Sequence, residues 1–169
     1  MEHLDFIAKY IENLKLKAVT ARPEKGHIIL DVGTGSGRFL SKLVEKFGVR
    51  GVGIDPYTTH YKDKNIELVP LKAEDVDKLE FTFNLAYTIH SFHHISHPDK
   101  FLSKLPLVLK PDGIFIIIDW KKGANTGIPE RYYSREEFES MLKKYGFEIM
   151  EIRETSMEIF IAAKRRKET

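Results

Sequence analysis

Residues 27–39 read HIILDVGTGSGRF. Ile28, Ile29, Leu30 and Val32 form a short apolar run bounded by turn residues, the mark of a strand buried on both faces. Glycines follow at 33, 35 and 37. Such spacing serves a turn that a Cβ would obstruct, or a ligand that lies against bare backbone. Phe39, Leu40, Leu43, Val44 and Phe47 then share one helical stripe that stops at Gly48, a C-cap. Strand, glycine turn and helix place backbone N–H groups and a positive helix end at one point.

The same alternation continues along the chain. Leu4, Ile7, Ile11, Leu14 and Ala18 recur at helical spacing, so residues 3–18 are expected to form an amphipathic helix, broken by RPEKG at 22–26. VRGVGID (49–55), NIELVPL (65–71), FNLAYTI (83–89) and GIFIIIDW (113–120) read as the second to fifth strands. Pro98 suits a first helical position, and Pro106 should kink or end the helix that it opens. Ser134 with Glu137 makes a capping box before a helix that closes on Gly146. FEIMEI (147–152) and EIFIAAK (158–164) read as an antiparallel pair. The expected fold is α/β: a Rossmann-like, doubly wound, mostly parallel seven-stranded sheet with an antiparallel C-terminal hairpin. It forms one domain over residues 1–169, with residues 1–20 as N-terminal helix and lid and 164–169 as a basic tail.

Composition bounds the function. The chain has 169 residues, of which 42% are hydrophobic, enough for one sizeable core. No apolar stretch reaches the roughly 18 residues of a membrane span, and the charged start MEHLDFIAKYIE is no signal peptide. A cytoplasmic protein is expected. The net charge of +2 does not imply nucleic acid, and the basic run KRRK at 164–167 reads as a solvated tail. The absence of cysteine removes disulfides, Cys-based zinc sites and any thiol nucleophile. Absence of glutamine with abundant Lys and Glu fits a thermophilic source.

The glycine loop admits three readings. A P-loop needs G-x-x-x-x-G-K-[ST], which Arg38 and Phe39 after Gly37 do not supply. A dinucleotide fingerprint needs G-x-G-x-x-G, and its third glycine would fall on Arg38. What stands here is G-x-G-x-G, preceded by Asp31.

The string Asp31-x-Gly33-x-Gly35-x-Gly37 resembles the first motif of class I S-adenosylmethionine (SAM)-dependent methyltransferases. The resemblance continues through GVGIDP (51–56), KAEDV (72–76), SFHHI (91–95), VLKPDGIFIIIDW (108–120) and YYSREEFESMLKKYGFE (132–148). In arrangement it is similar to the small-molecule, ubiquinone-biosynthesis-like, type 11 branch, and it spans residues 28–163. It implies SAM as cofactor. Gly33, Thr34, Gly35 and Gly37 would cradle the methionine and ribose side, and Asp31 would hold the loop or, through water, the ammonium. Asp55, beside Pro56, would take the ribose hydroxyls; a nicotinamide enzyme places an acid similarly, so this residue alone does not discriminate. Ala73 and Glu74 would meet the adenine edge, although an acid there also suits a helix first turn. Thr88, Ile89 and His90 would line the methionine side.

Methyl transfer from a sulfonium is an in-line displacement that chiefly requires an ordered approach. A base helps where the acceptor is a hydroxyl, amine or acidic carbon, and histidine titrates in the right range. TIHSFHHISHP (88–98) offers His94, then His93 or His90, and Asp119 is a second candidate; each has a structural alternative. No metal is expected, because His93 and His94 are adjacent and no carboxylate cluster lies near them in sequence. His97 reads as a helix cap or surface residue.

Two departures from the pattern stand out. Only nine residues, PYTTHYKDK, separate Asp55 from Asn65, so the helix usual between the second and third strands is reduced or missing. Tyr57 or Tyr61 would then cover the thinner side. Asn84 opens the fourth strand where an acid is frequent. The short N-terminal helix and the loop 121–133 are the available lid, which implies an open site, a homo-oligomer or partner subunit, or a bulky acceptor. Without Cys, pyrimidine C5 and arsenic methylation are disfavoured, and an Asn/Asp-Pro-Pro-aromatic motif is absent. The expected acceptor is a small molecule rather than RNA or protein. A non-catalytic SAM-binding protein or complex subunit is the alternative.

Overall fold

The computed structural model describes residues 3–17, 26–124, 126–127 and 130–166. Its elements are α1 (His3–Lys17), β1 (Ile28–Val32), α2 (Arg38–Phe47), β2 (Arg50–Ile54), β3 (Tyr61–Lys62), β4 (Ile66–Val69), β5 (Phe83–Ile89), α3 (Pro98–Lys104), β6 (Leu109–Trp120), α4 (Arg135–Lys144), β7 (Phe147–Glu154) and β8 (Glu158–Arg165). Short 3₁₀ turns cover Ala73–Lys78, Phe92–His94 and Leu105–Val108. The last of these begins at Leu105 and contains Pro106, so α3 ends before that proline as expected. Ala18 lies outside the described residues.

The strands form one sheet in the order β3-β4-β2-β1-β5-β6-β8-β7. β4, β2, β1, β5 and β6 run parallel, while β3, β8 and β7 pair antiparallel with their neighbours. Among the described residues the sheet therefore has eight strands rather than seven. The additional one is two residues long, and it forms because 55–65 is too short to hold a crossover helix and folds back along β4 instead. Of the basic tail, Lys164 and Arg165 belong to β8, where their backbone pairs with β6 and β7.

Both faces of the sheet are covered, which is why its central strands are apolar throughout. Alternate residues feed separate cores. Leu30, Phe115 and Ile117 pack with Phe101, Phe138 and Leu142 under α3 and α4. Ile29, Ile116 and Ile118 pack with Phe6, Ile7, Leu40 and Leu43 under α1 and α2. α1 is thus a packed layer, with Phe6, Ile7, Tyr10 and Ile11 buried, and Phe6, Ile7 and Ile11 each contribute on the order of 1.5–3 kcal/mol. α2 ends on the left-handed Gly48, and α4 begins on the Ser134–Glu137 capping box. Asn84 accepts the Ile28 N–H at 3.0 Å, so a neutral amide serves where the start of β1 needs an acceptor.

β1 has β2 on one side and β5 on the other, so strand order reverses there. In an open α/β sheet the carboxyl ends of the two strands at such a point frame the ligand crevice.

Candidate active site

The loops that leave β1 and β5 touch at this reversal. Gly33 has φ +85°, and a Cβ on it would lie 2.4 Å from the Ser91 hydroxyl oxygen. The Gly33 and Thr34 N–H groups donate to Ile54 O at 2.8 and 2.9 Å, pinning the loop to the end of β2. Gly35 has φ +56° but nothing within 4 Å of its Cβ direction, so its backbone is open to a ligand. Gly37 is the left-handed N-cap of α2.

Asp31 lies beneath the loop and is 4% exposed. Its carboxylate accepts the Tyr87 hydroxyl at 2.9 Å and the Thr34 hydroxyl at 3.2 Å. Burial pushes its pKa up to about 7; the two hydroxyl donors oppose that rise and the charge of Asp55 adds to it. Asp31 holds the loop from inside. Asp55 sits at the rim, where its two oxygens accept the N–H groups of Gly35 at 3.1 Å and Tyr57 at 2.9 Å. Each oxygen keeps further lone-pair capacity.

A cavity of about 690 Å³ opens beside these groups, inside the roughly 300–1,000 Å³ range of small-molecule sites. Gly33, Asp55, Pro56, Ala73, Glu74 and His94 line it, all singled out from the sequence. Val32, Ile54 and Leu71 make its apolar wall; Tyr57, Lys72, Ser91 and Ser96 join its surface. Ser91 could not be found from sequence spacing, because only its contact with Gly33 brings it there. Glu74 accepts the His97 N–H at 3.2 Å, so it braces the start of α3 as well. A second, open cavity of about 590 Å³ adjoins Gly35, Gly37, Tyr57, Tyr61 and Leu68, on the side where β3 replaces a helix. Tyr57 borders both cavities and is 95% exposed; it stands off the surface.

The remaining singled-out residues fall elsewhere. Thr88 is wholly buried in β5, and its hydroxyl has no hydrogen-bond partner among the described residues. Ile89 packs against the core under α1 and α2. Neither lines the cavity, because strand alternation aims both side chains into the packed layers. His90 has φ +52° and stacks on Trp120 with ring centroids 4.2 Å apart. Its Nε2 meets Glu158 at 2.5 Å, on the α1 side of the sheet.

On the opposite face, His93 is held between two carboxylates. Nδ1 lies 2.7 Å from Asp119 and Nε2 lies 2.6 Å from Glu130, with the His93 side chain 4% exposed. Burial raises the Asp119 pKa, against the charge of His93 and three hydrogen bonds. His94 lines the cavity with its side chain 61% exposed, and its Nδ1 is 4.0 Å from Glu130. The carboxylates missing near the histidines in sequence are therefore supplied from residues 119, 130 and 158. Among the described residues two groups of three ligand-type atoms result, His3–His90–Glu158 and His93–His94–Glu130.

Among the described residues no helix is long and apolar enough to cross a membrane. The chain is similar to the tRNA U34 carboxymethyltransferase of Pseudoalteromonas translucida, with 30% identity over 105 residues, covering 56% of this chain and 32% of that protein. It is similar to the ubiquinone biosynthesis O-methyltransferase of Rhizobium etli, with 26% identity over 118 residues and coverage of 64% and 47%. The chain thus spans about a third to a half of the length of these relatives. In structure it is similar to a SAM-dependent methyltransferase from Aquifex aeolicus, with TM-score 0.67, 25% identity and coverage of 91% and 88%. It shares its fold with a chain of the complex between the Haloferax volcanii Trm112 methyltransferase activator and a methyltransferase, with TM-score 0.70, 16% identity and coverage of 98% and 97%. The profile of a family described as a methyltransferase domain matches residues 2–152. With the open glycine loop, the rim carboxylate and the sheet reversal already in place, that match decides the family: the chain belongs to the class I SAM-dependent methyltransferases.

Proposed function

We propose that the chain transfers the methyl group of SAM to a small-molecule acceptor by in-line displacement. The observation that carries this reading is that Gly33, Asp55, Ala73 and Glu74 border one cavity at the sheet reversal. Asp55 would accept the ribose hydroxyls, Ala73 and Glu74 would meet the adenine, and the methionine end would lie toward Gly33 and Gly35. The similarity to a ubiquinone biosynthesis O-methyltransferase favours a small acceptor methylated on oxygen. His94 is the residue best placed to touch the acceptor, being exposed on the cavity. His93 has both ring nitrogens engaged, so it acts by positioning Glu130 and the loop that carries it. Calorimetry with SAM and with its demethylated product tests the donor: both should bind, and NADH should not. Tritiated SAM then tests the acceptor, with label expected in small molecules methylated on oxygen. Label in tRNA instead would overturn the small-molecule reading, which the tRNA-modifying relative makes the control to run.

A second reading is that the chain works with a partner subunit, or binds SAM without turnover as one component of a complex. It is favoured by the open cavity beside β3 and by the fold shared with the Trm112 activator complex. Binding of SAM without transfer by the isolated chain, and transfer once a co-purifying subunit is restored, would support it. A monomer that turns over alone would exclude it.

A further inference from the structure

We infer that His3, His90 and Glu158 form a binding site for a divalent transition metal of the zinc class, on the α1 side of the sheet. The inference stands apart from the methyl-transfer reading, since it uses the other face and none of the residues that line the cavity.

Three distant segments supply the donors. His3 lies in the first turn of α1, His90 follows β5 directly, and Glu158 opens β8. The Nε2 atoms of His3 and His90 converge on the same carboxylate oxygen, at 2.7 and 2.5 Å. All three donor atoms lie within 4.8 Å of one another. Two imidazoles and one carboxylate are the donor set of zinc sites that keep an open coordination position.

The framework holds these donors in place. His90 has φ +52°, a conformation rare for a residue with a side chain. Its N–H donates to Ile118 O at 2.7 Å, and its ring is stacked on Trp120 with planes 11° apart. Glu158 faces Trp120 across the β6–β8 ladder, and its N–H donates to Thr155 Oγ1 at 2.9 Å. The His3 ring meets the His90 ring edge-on at 5.1 Å and leans on the buried Phe160. The side chains are 29%, 28% and 16% exposed for His3, His90 and Glu158. A cation can therefore reach them, and the donors, now at hydrogen-bond distance from one another, would move slightly apart to take it in tetrahedral geometry. The left-handed backbone at His90 is what aims this donor at the two others. Metal coordination uses both histidine lone pairs at once, with Glu158 as the counter-charge. The ion would also tie α1 to the sheet.

The test uses the full chain, stripped of metal by chelator and titrated with zinc chloride by calorimetry. The expected result is one strong site, higher thermal stability with zinc, and the visible spectrum of low-symmetry Co(II) when cobalt is the probe. His3→Ala and Glu158→Gln should each weaken zinc binding by about tenfold or more, with circular dichroism showing that the fold survives. His94→Ala, which breaks the other histidine group, should leave it unchanged. Absence of binding to the wild-type chain, or binding that ignores His3→Ala and Glu158→Gln, would overturn the assignment. Loss of binding in His94→Ala alone would place the metal in the other group and overturn it equally.

Discussion

His93 is attached to Asp119 at two points: its Nδ1 lies 2.7 Å from one carboxylate oxygen, and its backbone N–H donates to the other at 3.1 Å. Asp119 also accepts the Trp120 N–H at 2.8 Å and is 1% exposed. The end of β6 thus locks the turn after β5 and leaves one His93 nitrogen for Glu130. The residues between that turn and the cavity inherit their positions from this lock.

A division of labour between the two histidines follows. His94→Ala should lower kcat by about 10²–10⁴ if the acceptor needs deprotonation, with SAM affinity changed only a few-fold. His93→Asn should act mainly on acceptor KM, by releasing Glu130 from Nε2. Steady-state kinetics beside calorimetry with SAM separates the two. Equal effects on kcat and KM in both variants would contradict the division.

Asp55 should dominate the affinity for the donor. Its carboxylate orders the Gly35 and Tyr57 backbone and is proposed to hold the ribose. Hydrogen bonds to a charged group contribute about 1.5–3 kcal/mol each. Asp55→Ala should therefore weaken SAM by about tenfold to a hundredfold, while Asp55→Asn, which keeps one acceptor, should lose less. Isothermal titration of both variants gives the comparison.

Gly33→Ala meets two obstacles, the positive φ and the Ser91 side chain, whose Oγ would lie 2.4 Å and Cβ 2.5 Å from the new methyl. A loss on the order of 1–3 kcal/mol of stability is expected. Adding Ser91→Gly should recover the steric part and leave the backbone strain. Denaturant midpoints of the single and double variants test this, and a double variant no better than Gly33→Ala would show that the clash is not the cause.

Asp31 predicts a stability profile with a definite sign. Unfolded, it ionises near the ordinary aspartate value of about 3.9; folded, burial raises it to about 7. Below both values the proton is held in either state and nothing is lost. Between them the unfolded chain releases a proton that the folded chain retains, so stability falls as pH rises from about 4 to 7. The full effect is on the order of 4 kcal/mol. Asp31→Asn keeps an acceptor for the Tyr87 and Thr34 hydroxyls and should flatten this part of the profile. Chemical denaturation from pH 4 to 8 reads the difference between the two chains.

Local patterns carried much of this protein. The apolar run at 28–32, the alternate glycines and the stripe 39–47 are short-range signals, and they place β1, its turn and α2 because burial and backbone freedom act residue by residue. The short 55–65 connection already implied a crossover helix reduced or missing; that it would fold back as β3 depended on the free edge of β4, which only the assembled sheet provides. Asp55 was singled out as a strand end, and Ala73 and Glu74 through the family resemblance; the fold brings all three to one cavity. Thr88 and Ile89 were placed on the same ground, but strand alternation turned their side chains into the two cores. The histidines show the limit most clearly. Their spacing revealed neither that Asp119 and Glu130 enclose His93, nor that His90 turns to the far face to meet His3 and Glu158. Those pairings join residues 26 to 155 positions apart, and distance in sequence carries no information about which carboxylate a buried imidazole will find.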